Sequence, residues 1–166
     1  WGVSCKSPED ALRLLDVRPV DLFQVNMNML DIRILENGLV ERAEREGVGI
    51  VVRTPLCFGF LTGTITPKTV FPEGDHRRAW SSDQIQAWVD GALQALSIVG
   101  ATPGAQACAA ALRFCLSFPA VCSVLPGAIR PTEMDEQADA ALYGPLEVEN
   151  IAAIIELNRA KSFFVG

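Results

Sequence analysis

The residues with the most chemical potential lie near the C-terminal end, in Pro126-Gly127-Ala128-Ile129-Arg130-Pro131-Thr132-Glu133. Before them, Val121-Cys122-Ser123-Val124-Leu125 is rich in β-branched residues and predicts a buried strand that Pro126-Gly127 stops. After them, Pro131 at a first helical position, with acidic residues close behind, predicts a helix start. A strand, a tight turn and a helix N-terminus in that order can face backbone N–H groups toward an anion. Arg130 adds a guanidinium that can hold two oxygens at once. The competing reading is an ordinary strand-to-helix loop of an α/β protein.

Other chemistry is scarce. A Ser–His–acid triad would need His76, the single histidine, which sits in a charged loop with no local partner pattern. Asp75-His76 lacks a second metal ligand at helical or turn spacing. Asp75-His76-Arg77 reads instead as a cluster whose side-chain hydrogen bonds order a loop. The five cysteines are odd in number and lack CxxC spacing, which disfavours a disulfide framework or a zinc site. They read as small buried hydrophobes in a reducing compartment, so the expected location is cytoplasmic.

The balance of 14 basic against 20 acidic residues, a net charge of −6, argues against a nucleic-acid or anionic-membrane surface. A composition that is 49% hydrophobic and 20% charged predicts a packed core. The 166 residues suffice for one domain. No apolar run reaches the roughly 18 residues of a membrane span, and no leader pattern is visible. Because Trp1-Gly2-Val3-Ser4 already looks like the end of a strand, the chain is expected to be cut from a longer one.

The elements that must position these residues follow a regular order. Val3-Ser4 ends a strand; Ser7-Pro8-Glu9-Asp10 starts a helix that Arg18-Pro19 ends. Asp21 to Asn26 predicts the second strand, with Gln24 unusual in its apolar run. One helix is expected over Ile34 to Glu46, closed by Gly47, and a third strand over Gly49 to Thr54. This β-α-β-α-β order restricts the fold to an open doubly wound sheet or an arc of a barrel. Leu56 to Ser82 breaks the pattern as a long irregular loop of the kind that is usually functional. Helices are then expected from Ser82 to Gly100, from Thr102-Pro103 to about Ser117, from about Thr132 to Leu142, and from about Glu147 to Lys161.

Polar or glycine residues cluster at the C-terminal strand ends: Ser4-Cys5, Gln24, Arg53-Thr54, and Gly127 to Arg130. In parallel α/β folds that edge binds ligands, so one site assembled from several loops is expected. The bland alternative is that strands stop at polar residues.

An ordered set of motifs carries a resemblance. Gly2-Val3-Ser4, Phe23-Gln24-Val25-Asn26, Thr54-Pro55-Leu56 with Gly59-Phe60-Leu61-Thr62-Gly63, Phe71-Pro72 with Asp75-His76-Arg77, and Val124-Leu125-Pro126-Gly127-Ala128 together resemble the C-terminal half of an aldo-keto reductase. The resemblance implies an α/β fold, a partial TIM (β/α)8 barrel comprising roughly strands five to eight with their helices, with residues 1–166 forming half of the domain. It implies an NADPH-dependent reduction of an aldehyde or ketone, with NADH as the other possible cofactor. By resemblance Ser4 and Gln24 meet the nicotinamide carboxamide, Cys5 stands beside them where Asn is usual and is a poorer hydrogen-bonding partner, and Arg53 stands where an aromatic residue commonly stacks on the ring. Thr54, Leu56, Phe58 and Gly59 match the loop over the pyrophosphate. Gly127 to Arg130 match the segment around the adenosine 2′-phosphate, and Glu136 and Gln137 match the adenine edge.

Two departures accompany the resemblance. Many members carry Lys or Arg at the positions of Gly127 and Glu133, so NADPH preference is weakened here, the more so if Glu133 points inward. The Tyr, Lys, Asp and His of the family's proton relay match nothing in this chain, and the single tyrosine, Tyr143, falls between the last two helices. The isolated chain is therefore expected to be inactive, with a small carbonyl substrate and the N-terminal half of the barrel as partners of the whole. Exposed strand edges of a half-barrel are expected to invite oligomers. A non-catalytic nucleotide-binding regulatory or scaffold protein from the same barrel is the alternative, and an unrelated phosphate-binding barrel is a third.

Overall fold

The computed structural model describes residues 1–163. Four parallel strands lie in chain order: β1 (Gly2–Ser4), β2 (Leu22–Asn26), β3 (Gly49–Arg53) and β4 (Val121–Leu125). Strand order equal to chain order, with helices between, is the arc of a barrel and not a doubly wound sheet, whose order reverses at a switch point. Pairing aligns Ser4 with Gln24, Gln24 with Val51, and Val51 with Ser123; one layer further on it aligns Asn26 with Arg53 and Arg53 with Leu125.

Alternation decides which face each side chain meets. Phe23, Val25, Ile50 and Val52 are fully or almost fully buried, while Gln24, Asn26, Val51 and Arg53 on the other face are half-buried. Helices α1 (Pro8–Val17), α3 (Leu39–Glu46), α4 (Ser82–Ile98), α5 (Ala105–Leu116) and α7 (Val148–Ala160) supply the rest of the core through Ala11, Leu39, Ala43, Ala92, Ala111, Phe114 and Ile154. Alanines make up much of the buried face of α5, which packs on β4 and on the helix at Pro131–Ala140, and each large apolar side chain fully buried contributes about 1.5–3 kcal/mol. The last helix is tied back across the fold: Asn158 Nδ2 donates to the Met29 carbonyl at 2.8 Å, and Trp88 Nε1 donates to that of Phe163 at 2.9 Å.

Local signals place α1 as expected, with the Ser7 hydroxyl accepting the Glu9 N–H and Pro8 in the first turn. The structure corrects other boundaries. The helix expected over Ile34 to Glu46 is two, α2 (Arg33–Glu36) and α3, because Gly38 takes φ 80° and Asn37 Oδ1 accepts the Leu39 N–H at 3.0 Å. The N-cap of α4 is Ser81, and α5 starts at Ala105 behind Gly104, not at Thr102-Pro103. Helix α6 (Pro131–Ala140) gives way to a 3-10 turn at Ala141–Tyr143. β4 is not a buried strand: Cys122, Ser123 and Leu125 are exposed, since β4 is an edge and its hydrophobic composition does not report which side is covered. Within the irregular region, Cys57–Thr62 and His76–Ala79 form short 3-10 segments.

No helix among the described residues is long and apolar enough to cross a membrane.

Candidate functional site

The sequence-predicted residues fall into two groups at the C-terminal ends of the strands. The first is a hydrogen-bonded set on β1 to β3. Ser4 Oγ donates to Gln24 Oε1 at 2.9 Å, and the Cys5 N–H donates to the Gln24 carbonyl at 3.0 Å. Arg53 reaches across all three strand ends, donating from Nε to Asn26 Oδ1 at 2.7 Å and from Nη2 to the Cys5 carbonyl at 2.9 Å. A guanidinium with five N–H donors in a planar fork can fix three strands at once in a way that a lysine cannot. Burial pushes the Cys5 thiol up, so it stays protonated at neutral pH.

The second group lines a cavity of about 670 Å³. Thr54, Leu56, Phe58 and Gly59 form one lip after β3, and Gly127, Arg130, Glu133, Glu136 and Gln137 form the other after β4. Gly104, Ala105 and Cys108 lie between them. This volume suits a small-molecule ligand. Ser4, Cys5, Gln24 and Arg53 are not among its walls; they stand beside it on the strand ends.

Unusual backbone shapes the first lip. Thr54, Cys57 and Phe58 have φ of 56°, 46° and 56°, the left-handed region that side chains disfavour by about 1–3 kcal/mol each. Neighbours over-determine the bend. Asn28 Nδ2 and the Cys57 N–H both donate to the Thr54 carbonyl, at 3.1 and 3.0 Å. The Gly59 and Leu61 N–H groups donate to the Leu56 carbonyl, and Arg77 Nη1 donates to the Phe58 carbonyl at 3.0 Å.

Arg77 is in turn held by Asp75, with Nε donating to Oδ1 at 3.0 Å and Nη2 to Oδ2 at 2.6 Å, and by the Phe71 ring 4.5 Å below its guanidinium. The expected loop-ordering cluster is therefore present. These bonds, with the Arg77 N–H, hold the Asp75 carboxyl down at about 2 from an ordinary 3.8. A carboxyl with a depressed folded-state value stabilises the fold above its unfolded value and loses that contribution as pH falls through the folded one. Loosening of the Arg77 loop is expected between about pH 4 and pH 2, read as a change in Trp80 and Trp88 fluorescence. Arg77→Ala should abolish that acid step. A step of unchanged size in the variant would place its origin elsewhere.

On the second lip, Gln137 Nε2 donates to the Gly127 carbonyl at 2.9 Å, while its Oε1 is buried with no donor among the described residues. A Cβ added at Gly127 would meet nothing within 4 Å, so the open space there belongs to the cavity and not to packing. Glu133 also stands on the cavity wall. Its carboxylate turns onto the start of its own helix and pairs with Arg130 at 2.7 Å.

Nucleophilic and metal chemistry find no support in the side chains. His76 is mostly exposed, packed edge-on against Phe58 and Trp80 with centroids 5.7 and 5.2 Å away. All five cysteines are free, and burial pushes the Cys57, Cys108 and Cys115 thiols up, away from thiolate. No group of three or more metal-ligating side chains occurs among the described residues. Tyr143 lies beyond α6, exposed and away from the cavity walls.

What sequence reasoning missed is mainly Asn28, which holds the lip from below. Its signal is an amide flanked by Met27 and by Met29-Leu30, where buried polarity demands a partner. Gly104 and Cys108 gave no signal, since they enter the cavity wall only through the placement of α5.

A model of the aldo/keto reductase family matches residues 1–159. The chain is 26% identical over 163 residues to the L-glyceraldehyde 3-phosphate reductase of Escherichia coli O157:H7, covering 92% of this chain and 47% of that protein. Among solved structures it resembles the glycerol dehydrogenase of Gluconobacter oxydans, with TM-score 0.70, 23% identity, and coverage of 99% of this chain and 50% of that one. An aldo-keto reductase from Bacillus halodurans in its apo form gives TM-score 0.67 at 24% identity, covering 94% of this chain and 50% of that one. The chain thus spans about half the length of the curated relatives it matches.

Proposed function

The chain belongs to the aldo/keto reductase family, and from that premise we propose that residues 1–166 are the cofactor-holding C-terminal half of a nicotinamide-dependent reductase of aldehydes or ketones. The observation that carries this reading is the two-lipped cavity at the C-terminal strand ends, with Glu136 and Gln137 on its wall and open space over Gly127.

The residues fit a dinucleotide. Glu136 and Gln137 stand on the wall and carry side-chain oxygens of the kind that accept from an adenine amino group. The bent backbone from Thr54 to Gly59 covers the middle of the cleft, where the chain passes close to any occupant. Ser4 and Gln24 stand on the adjacent strand ends as amide- and hydroxyl-bearing partners for a carboxamide, with Arg53 fixing those ends. When bound, the nicotinamide supplies hydride. What these residues do is hold the dinucleotide, orient it across the strand ends and exclude water from one side.

Proton delivery needs an acid poised to release its proton, and among the described residues Tyr143 lies away from the cavity, burial makes Cys57 and Cys108 hold their protons tightly, and Glu133 is kept ionised. We place that acid and its supporting residues in the other half of the barrel, together with the pairing partners of the β1 and β4 edges. Five free thiols fit a reducing compartment such as the cytoplasm.

Titrating NADH and NADPH by nucleotide fluorescence, and following carbonyl-dependent oxidation, tests the reading. The full-length protein should bind a nicotinamide dinucleotide and oxidise it when an aldehyde is supplied; residues 1–166 alone should show no carbonyl-dependent oxidation. Turnover by the isolated chain would overturn the division of labour. Binding without turnover by the full-length protein would favour a regulatory barrel, and binding of small phosphoesters alone would overturn the nicotinamide reading altogether.

A further inference from the structure

The start of α6 already holds an anion, and the anion is the chain's own. Glu133 Oε2 accepts the backbone N–H of Ile129 at 2.8 Å and that of Arg130 at 3.2 Å. Its Oε1 accepts from Arg130 Nε at 3.0 Å and Nη2 at 2.7 Å. Two backbone N–H groups at a helix start and a bidentate guanidinium are the donors a phosphate would use there. The same bonds, the Ile129 N–H foremost, hold the Glu133 carboxyl below its ordinary value and so keep it ionised at neutral pH.

Building on the nicotinamide reading above, we propose that Glu133 makes the adenosine end of this cleft select a dinucleotide with a free ribose diol, NADH, over one carrying a 2′-phosphate, NADPH. A phosphate monoester brings a charge of about −1.5 to −2 at neutral pH. The charged residues of the cavity wall are Arg77, Arg130, Glu133 and Glu136. Arg77 is committed to Asp75 at 2.6 Å and Arg130 to Glu133 at 2.7 Å. An added dianion would thus meet two carboxylates and no uncommitted cation among the described wall residues. Ile129, whose N–H Glu133 occupies, turns a 96% exposed apolar side chain to the rim and adds no donor.

To seat a phosphate, the carboxylate must give up four hydrogen bonds and then remain as a like charge close by. A diol makes no such demand. It brings no charge, so it can lie beside the Glu133–Arg130 pair without breaking the four hydrogen bonds that fill the carboxylate's acceptor sites.

The test is a pair of dissociation constants, for NADH and NADPH, measured by fluorescence on the full-length protein. Wild type should bind NADH at least about tenfold more tightly. Glu133→Gln keeps the side chain's size but removes its charge, and should tighten NADPH by about tenfold while NADH changes less than about threefold. Glu133→Ala, which frees the Arg130 guanidinium and both N–H groups, should do the same, and its NADPH affinity should fall steeply with salt. Circular dichroism on each variant verifies the fold. NADPH binding as tightly as NADH in wild type, or an unchanged ratio in both variants, overturns the proposal while leaving the nicotinamide reading intact. Failure of both nucleotides to bind overturns that reading and this inference together.

Discussion

Asn28→Ala is expected to cost about 2–4 kcal/mol of stability. The side chain is 3% exposed and uses both ends: Oδ1 accepts the Leu30 N–H at 2.8 Å and Nδ2 donates to the Thr54 carbonyl at 3.1 Å. Leu30 is itself buried, so its N–H would lose its acceptor without gaining water, which costs about 1–3 kcal/mol. Thr54 keeps the Cys57 N–H and loses less, about 0.5–1.5 kcal/mol. A denaturation midpoint in urea reads the sum. The loss also releases the left-handed Thr54 from its support, so dinucleotide affinity should fall alongside stability. Asn28→Asp separates the two contacts. Ionised, it still accepts from Leu30 but faces the Thr54 carbonyl with an acceptor; protonated, it can donate as the amide does. Its folded-state value is therefore raised, and the destabilisation should grow as pH rises above the unfolded value of about 3.9. A pH-independent loss for this variant would show that the Thr54 contact contributes little.

Phe60→Ala should have the largest packing effect, about 3–5 kcal/mol. Phe60 is 1% exposed and sits under an aromatic group, with centroids 5.3 Å from Trp88 and 6.1 Å from Trp80, which lie 4.7 Å from each other. Phe58, on the cavity wall, stacks on the same pair at 4.9 and 5.8 Å. Removing the ring below leaves a void that the strained turn above cannot fill without giving up its hydrogen bonds. Near-ultraviolet circular dichroism should lose intensity with stability, because the two indoles lose their fixed geometry. Phe60→Leu, which keeps more of the volume, should cost clearly less, about 1–2 kcal/mol. Equal costs would mean that the site collapses around either side chain.

The parts of the fold that local chemistry decides were legible in the residues. Ser7-Pro8 starts a helix because a hydroxyl cap and a missing N–H suit the first turn anywhere. The cluster at Asp75-Arg77 was legible for the same reason, its partners being two residues apart. Gly38 was not, because a glycine within a helical pattern is either tolerated or a break, and here it takes the left-handed N-cap of a new helix, with the Leu39 N–H on Asn37 Oδ1. The exposure of β4 was illegible in principle, since Val121 to Leu125 reads alike whether or not a further strand covers it. The cleft shows the same division. Polar and glycine residues at the strand ends pointed to Thr54 and to Gly127 to Arg130, the other lip residues came only from the family resemblance, and Glu133 was read as a charge that could point inward. Its actual bonds close a ring with the Ile129 and Arg130 backbone that only the folded helix start creates.

The strand order described above also fixes a sequence of events in time. β2 and β3 are joined by residues 27–48, but β3 and β4 by residues 54–120, a connection roughly three times as long, and closing it costs about 1 kcal/mol more in chain entropy. The first three strands, clamped by Arg53, can therefore assemble while the fourth is still being synthesised. The lip after β4 comes last, on an edge strand of the four described, and within this chain it is the first part free to peel away. One lip of the cavity is thus built on the segment that folds latest, and it should be lost under mild stress before the sheet beneath it.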